Sequence, residues 1–124
     1  MLKFSIFHLR IRDTSSKEFS LSQGLGFLKG SVQSLPIGKE CFPNVGWRKI
    51  IIKEKKLKKF NNKRFYFIHS YQCLPSENNI ITSQIQYNKK KICSSVEKNN
   101  IVGTQFHPEK SGKEGLNLFR NLLK

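Results

Sequence analysis

Acidic side chains are scarce in this chain. Eight Asp and Glu stand against 23 Lys and Arg, a formal net charge of +15 over 124 residues. Such an excess would suit a nucleic-acid partner, because clustered Lys and Arg neutralise phosphates. Their distribution argues otherwise. The lysines are spread over Lys53 to Arg64, Tyr87 to Lys91 and the C-terminal segment, in company with many Asn and Ile. That pattern reads as the codon bias of an AT-rich genome, and each run as a solvated loop. A nucleic-acid partner is therefore not expected.

Long apolar runs are also missing, and none could span a membrane. The opening MLKFSIFHLRIRD is basic and partly apolar, but it has no small-residue cleavage site, and His8 and Arg10 interrupt it. It does not read as a signal peptide. Cysteine is sparse: Cys41, Cys73 and Cys93 are odd in number, scattered and without a CxxC pair. This speaks against a disulfide scaffold and against a zinc site, and it fits a reducing cytoplasm, with buried structural thiols as the simplest reading. Neither a metal nor a cofactor is expected. No repeat or linker divides the chain, whose length allows at most one domain with a modest core. Glycine is absent from the first 14 residues, where Phe4, Ile6, Leu9 and Ile11 could alternate as a strand only with Arg10 and Arg12 exposed.

What stands out is a stretch near the C-terminus, Gly103 to Gly112, reading GTQFHPEKSG. Ile101 and Val102 lead into it as an apolar run, so a buried strand is expected to end near Phe106. Pro108 cannot donate to a ladder and biases His107 towards an extended backbone. In an extended segment residues i and i+2 share a face. His107 and Glu109 would then project together, the carboxylate holding the imidazole. A base oriented by a third group is the arrangement that activates a Ser or Cys nucleophile. The plainer alternative is a strand-end His beside a loop Glu.

The stretch resembles the C-terminal catalytic motif of class I (triad) glutamine amidotransferases. Its continuation through Lys110, Ser111 and Gly112 is most similar to the glutaminase subunits of imidazole-glycerol-phosphate synthases, in histidine biosynthesis. Three further stretches follow in the order of that family. SSKEFSLSQGLGFLKGSVQSLP, with Gly24, Gly26 and Gly30, reads as a loop, a tight turn and a strand around Leu25 to Leu35. It is similar to the family's EFG-x-x-x-GLG-x-x-x-G-x-V, with Ser20 in place of the first Gly. Pro43-Asn44-Val45-Gly46-Trp47, followed by Ile50 to Ile52, reads as a strand. It is similar to PHMGWN, with Asn44 for the His and Arg48 for the Asn. Phe65 to Tyr71 reads as a buried strand ending in polar residues and is similar to YFVHSY.

The remaining elements are read from the residues alone. Lys53 to Lys63 is a loop or short helix. Ile80 to Tyr87 and Lys91 to Val96 are strands, and the pairs Asn78-Asn79 and Asn99-Asn100 are natural turns. The second pair would let Ser94 to Glu97 and Ile101 to Phe106 form a hairpin leading into His107. The tail is a helix with Ser111 and Glu114 at capping-box spacing. Leu116, Phe119 and Leu123 form one stripe, with Leu118 and Leu122 beside it, facing the sheet. Gly115 would cost this helix roughly 1 kcal/mol relative to Ala.

The resemblance implies an α/β fold: an incomplete flavodoxin-like class I glutamine amidotransferase layer structure with a mixed sheet and a C-terminal helix. It covers residues 15–124, leaving 1–14 as an unmatched opening segment. It implies a Cys-His-Glu triad, with His107 and Glu109 as the matching catalytic residues. It places Trp47, Tyr66, His69, Ser70, Tyr71 and Lys110 near the substrate or the cyclase partner. For Trp47 a core aromatic, and for His69 an ordinary hydrogen-bonded strand histidine, are the plainer readings. Glutamine is the implied substrate, and a cyclase subunit the implied partner in a heterodimer.

The nucleophile of the family sits in a Gly-x-Cys-x-Gly turn upstream of the stretch matching Ser15. SIFHLRIRD stands at that spacing, with no Cys and no Gly. His8 is no substitute, and the three cysteines match other parts of the family. The reading is a C-terminal fragment of a glutaminase domain, as a truncated or frameshifted gene would give, inactive alone and leaving a sheet edge and an apolar face uncovered. The alternative is a non-catalytic pseudo-glutaminase that binds a cyclase-like partner.

Overall fold

In the computed structural model the described residues are 30–98 and 101–122. The readings placed on Ser15 to Lys29, on Asn99-Asn100 and on Leu123 lie outside them. The fold is α/β, with strands packed against a C-terminal helix. In order come β1 (Gly30–Ser34), β2 (Asn44–Lys49), β3 (Ile51–Ile52), a 3-10 turn (Lys55–Phe60), β4 (Arg64–His69) and β5 (Tyr71–Pro75). A second 3-10 turn (Asn78–Ile80), β6 (Ile81–Tyr87), β7 (Lys90–Lys98), β8 (Ile101–Thr104), a third 3-10 turn (Pro108–Lys110) and helix α1 (Gly112–Leu122) complete the chain.

Every described pairing is antiparallel: β1 with β5, β2 with β4, and β3-β6-β7-β8 in that order. β4 and β5 are nearly one strand, parted at Ser70, whose carbonyl accepts Leu35 N–H at 3.0 Å. The hairpin of β7 and β8 forms as the sequence suggests, with Lys98 opposite Ile101 and Ser95 opposite Thr104.

β4 shows the strand period clearly. Phe65, Phe67 and His69 are buried, while Ile68 is exposed and Tyr66 half-buried on the other face. Its partner β2 matches this alternation: Val45 lies opposite Ile68 and Trp47 opposite Tyr66. One face of the ribbon therefore fills the core and the other presents Val45, Trp47, Tyr66 and Ile68 outward. Trp47 is half exposed, so the core-aromatic reading of it is wrong.

The main core gathers Phe60, Phe65, Phe67, Ile85, Tyr87, Ile92, Phe106 and Leu118 among others. A smaller cluster holds Val32, Cys73, Ile80, Cys93 and Val96. β7 contributes to both, Ile92 to the first and Cys93 to the second. Cys93 and Val96 are three residues apart yet share a cluster, because the β6–β7 register shifts between Ile81 and Gln84. At that irregularity four buried hydroxyls satisfy one another. Thr82 Oγ1 meets Ser95 Oγ at 2.7 Å, Ser83 Oγ meets Ser94 Oγ at 2.6 Å, and Ser83 also bonds Ser95.

Helix α1 turns a different face inward from the one expected. Gly115, Leu118 and Leu122 are buried, whereas Leu116 and Phe119 are 50 % and 40 % exposed. Residues 115, 118 and 122 also make an i, i+3, i+7 stripe. Its smallest member decides the docking, because a side chain at 115 would keep the first turn away from Pro108. No helix among the described residues is long and apolar enough to cross a membrane.

Candidate active site

β8 ends at Thr104, two residues before the expected limit. The chain stays anchored beyond it. Gln105 N–H donates to Ser94 O at 2.8 Å, and Thr104 Oγ1 donates to Phe106 O at 2.9 Å. The Phe106 ring lies 4.6 Å from that of Phe65 and 5.6 Å from that of Phe67, centroid to centroid. His107 follows with an extended backbone, φ −100° and ψ 97°, as the proline after it demands.

His107 Nδ1 stands 3.2 Å from Glu109 Oε2. The pair expected from the sequence is thus present, but by a different local route. Strand alternation does not carry it. Pro108 starts a 3-10 turn through Lys110, and the turn folds the carboxylate back onto the ring. The His107 side chain is 17 % exposed and that of Glu109 55 %. The imidazole is held at a surface it can still reach, with its orienting carboxylate on the solvent side. Glu109 thus engages the ring through Nδ1.

The backbone of the turn is held by β4. His107 N–H donates to Tyr66 O at 3.0 Å. Ser111 Oγ accepts Tyr66 N–H at 2.9 Å and donates to His107 O at 2.6 Å. Ser111 thus spends its hydroxyl backwards, on the turn and on β4. The capping-box role expected of it is not adopted, since its oxygen is already occupied by Tyr66 N–H. Only its backbone serves the helix, accepting Gly115 N–H at 3.2 Å.

The remaining residues singled out in the sequence fall into two groups. Trp47 and Tyr66 come together, edge to face at 5.8 Å, on the exposed face of the β2–β4 ribbon. Lys110 is exposed on the turn beside Glu109. His69 instead points inward from the opposite face of β4, and Ser70 and Tyr71 continue into β5, where Tyr71 packs against the smaller core cluster.

His69 is 4 % exposed and uses both ring nitrogens. Nδ1 is 2.8 Å from Tyr71 O, which can only accept, so Nδ1 donates. Nε2 is left to accept from Asn44 Nδ2 at 2.9 Å. Asn44 Oδ1 in turn accepts from Arg48 Nε. Arg48 pairs with Glu40 at 2.7 Å and lies over the Tyr87 ring, 4.8 Å from its centroid. Glu40 Oε2 accepts Asn88 N–H at 2.7 Å, and Asn88 Oδ1 accepts Glu40 N–H at 2.8 Å. The Asn88 N–H, together with Arg48, holds the Glu40 carboxyl below its ordinary value against the opposing effect of burial. His69 is therefore the buried end of a polar chain that crosses the fold, which supports its plainer reading. Sequence reading noticed Asn44 and Arg48 only as departures from a pattern. A spacing of four residues could not show that they bond one another, or that Asn44 bonds His69.

The thiols divide as well. Cys73 and Cys93 are buried, but Cys41 is exposed, so the reading of three buried thiols holds for two. Burial pushes the Cys73 thiol far up, with Cys93 beside it adding to the effect, and pushes Cys93 up to about 12. Neither is a nucleophile at neutral pH. A thiol reagent such as a chromogenic aryl disulfide is expected to modify one cysteine of the native chain quickly, Cys41, and the other two only on unfolding. Rapid native reaction of two or three would contradict this burial.

Among the described residues no group of three or more His, Cys, Asp and Glu is placed to hold a metal ion. The arrangement can therefore be described as an oriented imidazole on a braced turn, at the rim of the core and beside an exposed aromatic pair.

Residues 21–124 match the family model for Glutamine amidotransferase class-I. Several curated proteins are similar to this chain, all named imidazole glycerol phosphate synthase subunit HisH. The protein of Prochlorococcus marinus subsp. pastoris is 38 % identical over 121 residues, covering 94 % of this chain and 58 % of that protein. That of Pelagibacter ubique is 41 % identical over 107 residues, covering 82 % and 51 %. That of Pyrococcus furiosus is 43 % identical over 110 residues, covering 86 % and 55 %. The chain spans somewhat more than half the length of these relatives. With the match over residues 21–124 and the His107–Glu109 pair standing in GTQFHPEKSG, the chain belongs to the class-I glutamine amidotransferase family.

Proposed function

We propose that this chain carries the His–Glu half of a glutaminase site that delivers ammonia for imidazole-glycerol-phosphate synthesis in histidine biosynthesis, in the cytoplasm. The observation that carries the proposal is the 3.2 Å contact of His107 Nδ1 with Glu109 Oε2 on a turn fixed by β4. In the complete reaction a Cys thiolate attacks the side-chain amide carbon of glutamine. His107 Nε2 gives its proton to the departing ammonia, leaving a glutamyl thioester. It then takes a proton from the water that releases glutamate. Glu109 keeps the ring aimed and stabilises the imidazolium.

The sequence holds no Gly-x-Cys-x-Gly turn, and Cys73 and Cys93 are buried. The chain by itself is therefore expected to hydrolyse no glutamine. Residues 15–124 form the glutaminase portion in this proposal. The test is complementation. A polypeptide bearing the missing strands and the Gly-x-Cys-x-Gly turn is mixed with this chain and a purified cyclase subunit. Glutamate release is expected to need both pieces and to fall to background with His107→Asn. Turnover by this chain alone would overturn the lost nucleophile, and complemented turnover indifferent to His107 would overturn the assigned role.

A second reading, a non-catalytic binder of a cyclase-like subunit, is favoured by the exposed apolar face of Val45, Trp47, Tyr66 and Ile68. Aromatic residues with one open face are frequent anchors of protein interfaces. In this reading Trp47, Tyr66 and Lys110 meet the partner. His69, buried behind β4, supports them from within. A cyclase pull-down that retains the wild-type chain and loses Trp47→Asp is the expected outcome. Retention of neither would remove the reading.

A further inference from the structure

The hydroxyl of Ser111 stands between the edge of β4 and the His107 turn. In an antiparallel hydrogen-bonded pair, two facing residues exchange both bonds: each N–H donates to the other's carbonyl. Between Tyr66 and His107, which are not ladder partners, one such bond is direct, His107 N–H to Tyr66 O at 3.0 Å. The second is not direct. Tyr66 N–H donates to Ser111 Oγ at 2.9 Å, and Ser111 Oγ donates onward to His107 O at 2.6 Å. One oxygen thus accepts from one strand and donates to the other, which a hydroxyl alone among small side chains does well.

The reason for the insertion lies in the local chain. Pro108 opens a 3-10 turn immediately after His107, and Tyr66 N–H goes to Ser111 Oγ instead of directly to His107 O. His107 O is drawn into the turn, where Lys110 N–H also donates to it at 3.0 Å. The hydroxyl bridges the gap this leaves. Ser111 is 2 % exposed, so water does not compete freely for its bonds. Gly115 keeps Ser111 in place from the other side, through Gly115 N–H to Ser111 O.

We infer that Ser111 is a positioning residue for His107: its hydroxyl, spliced between Tyr66 N–H and His107 O, sets the distance of the catalytic turn from β4 and thereby the aim of the imidazole. The catalytic use of that aim rests on the glutaminase reading above; the positioning itself does not. Ser111 touches neither substrate nor nucleophile in this role. It acts through the backbone of His107.

The experiment uses the full chain labelled with ¹⁵N. Amide exchange at Tyr66 and His107 is compared with exchange along the β6–β7 ladder, and the ring nitrogens of His107 are followed by their own signals. In Ser111→Ala, exchange at Tyr66 and His107 is expected to rise at least tenfold more than along β6–β7. The two His107 ring signals should move towards each other as the ring loses its fixed partner at Glu109. Ser111→Cys keeps the volume and weakens both bonds, so it should fall between wild type and alanine. It carries the comparison alone if the alanine variant does not fold. Protection lost equally at all sites would mean a general packing role and would overturn the inference. Unchanged protection at Tyr66 and His107 would do the same. The readout needs no glutamine and no second polypeptide. A failure of the complementation assay with the exchange pattern intact would therefore remove the proposed reaction and leave the positioning standing.

Discussion

Phe106→Ala is expected to destabilise the chain by about 3–5 kcal/mol, the usual cost of emptying a buried aromatic site. The residue is 1 % exposed and its ring is stacked against two others, Phe65 and Phe67. Both of those sit on β4, which has no freedom to close the void, because its edges are bonded to β2 on one side and to the His107 turn on the other. The cavity would therefore stay largely open, at the upper part of that range. A domain of this size has roughly 5–15 kcal/mol in all, so the loss is a large fraction of it. Each kcal/mol lowers the melting temperature of a small domain by about 4–8 °C. Urea denaturation should show a much lower midpoint with little change in slope. A loss below about 1 kcal/mol would mean that the three-ring cluster is not what anchors the turn.

Gly115→Ala should also destabilise, although helix propensity alone predicts a gain of roughly 1 kcal/mol. A Cβ at this position would stand 1.9 Å from Pro108 O and 2.9 Å from Pro108 C. Those are backbone atoms of the His107 turn, so relief requires the helix or the turn to move. Overpacking of this kind costs about 1–3 kcal/mol, which outweighs the propensity gain. Movement of the turn would also disturb the His107–Glu109 pair, one residue either side of Pro108. Thermal unfolding followed by circular dichroism checks the sign. A higher midpoint for the alanine variant would show that the contact is not close in solution.

These two positions mark how far the sequence could be read. The aromatic strand Phe65 to His69 and the hairpin strands before His107 were legible because runs of aromatic and β-branched residues are local signals, although the strand read as buried proves to face outward at Tyr66 and Ile68. The pairing of His107 with Glu109 was legible from spacing, though the 3-10 turn that achieves it was not. Gly115 misled, because its value lies in a close approach across the fold, and a propensity scale sees only the helix. Ser111 misled for a related reason. A serine three residues before a glutamate fits a capping box, and only the proximity of β4 reveals the stronger competing partners. The buried face of α1 was rotated for the same cause, since Leu116 and Phe119 look as apolar as Leu118 and Leu122 until the docking point is known.

β4 carries its assignments in strict alternation, and this has a genetic consequence. Phe65, Phe67 and His69 face inward, Tyr66 and Ile68 outward, and the Tyr66 backbone bonds the His107 turn. A codon gained or lost within these six would pass every later side chain to the opposite face, phenylalanines to the surface and tyrosine to the interior. Point changes at the exposed Arg64 are expected to cost little stability, whereas single-residue insertions and deletions here are expected to unfold the strand's packing. The strand is thus a ruler whose length in codons should constrain the fold more tightly than the identity of its exposed letters.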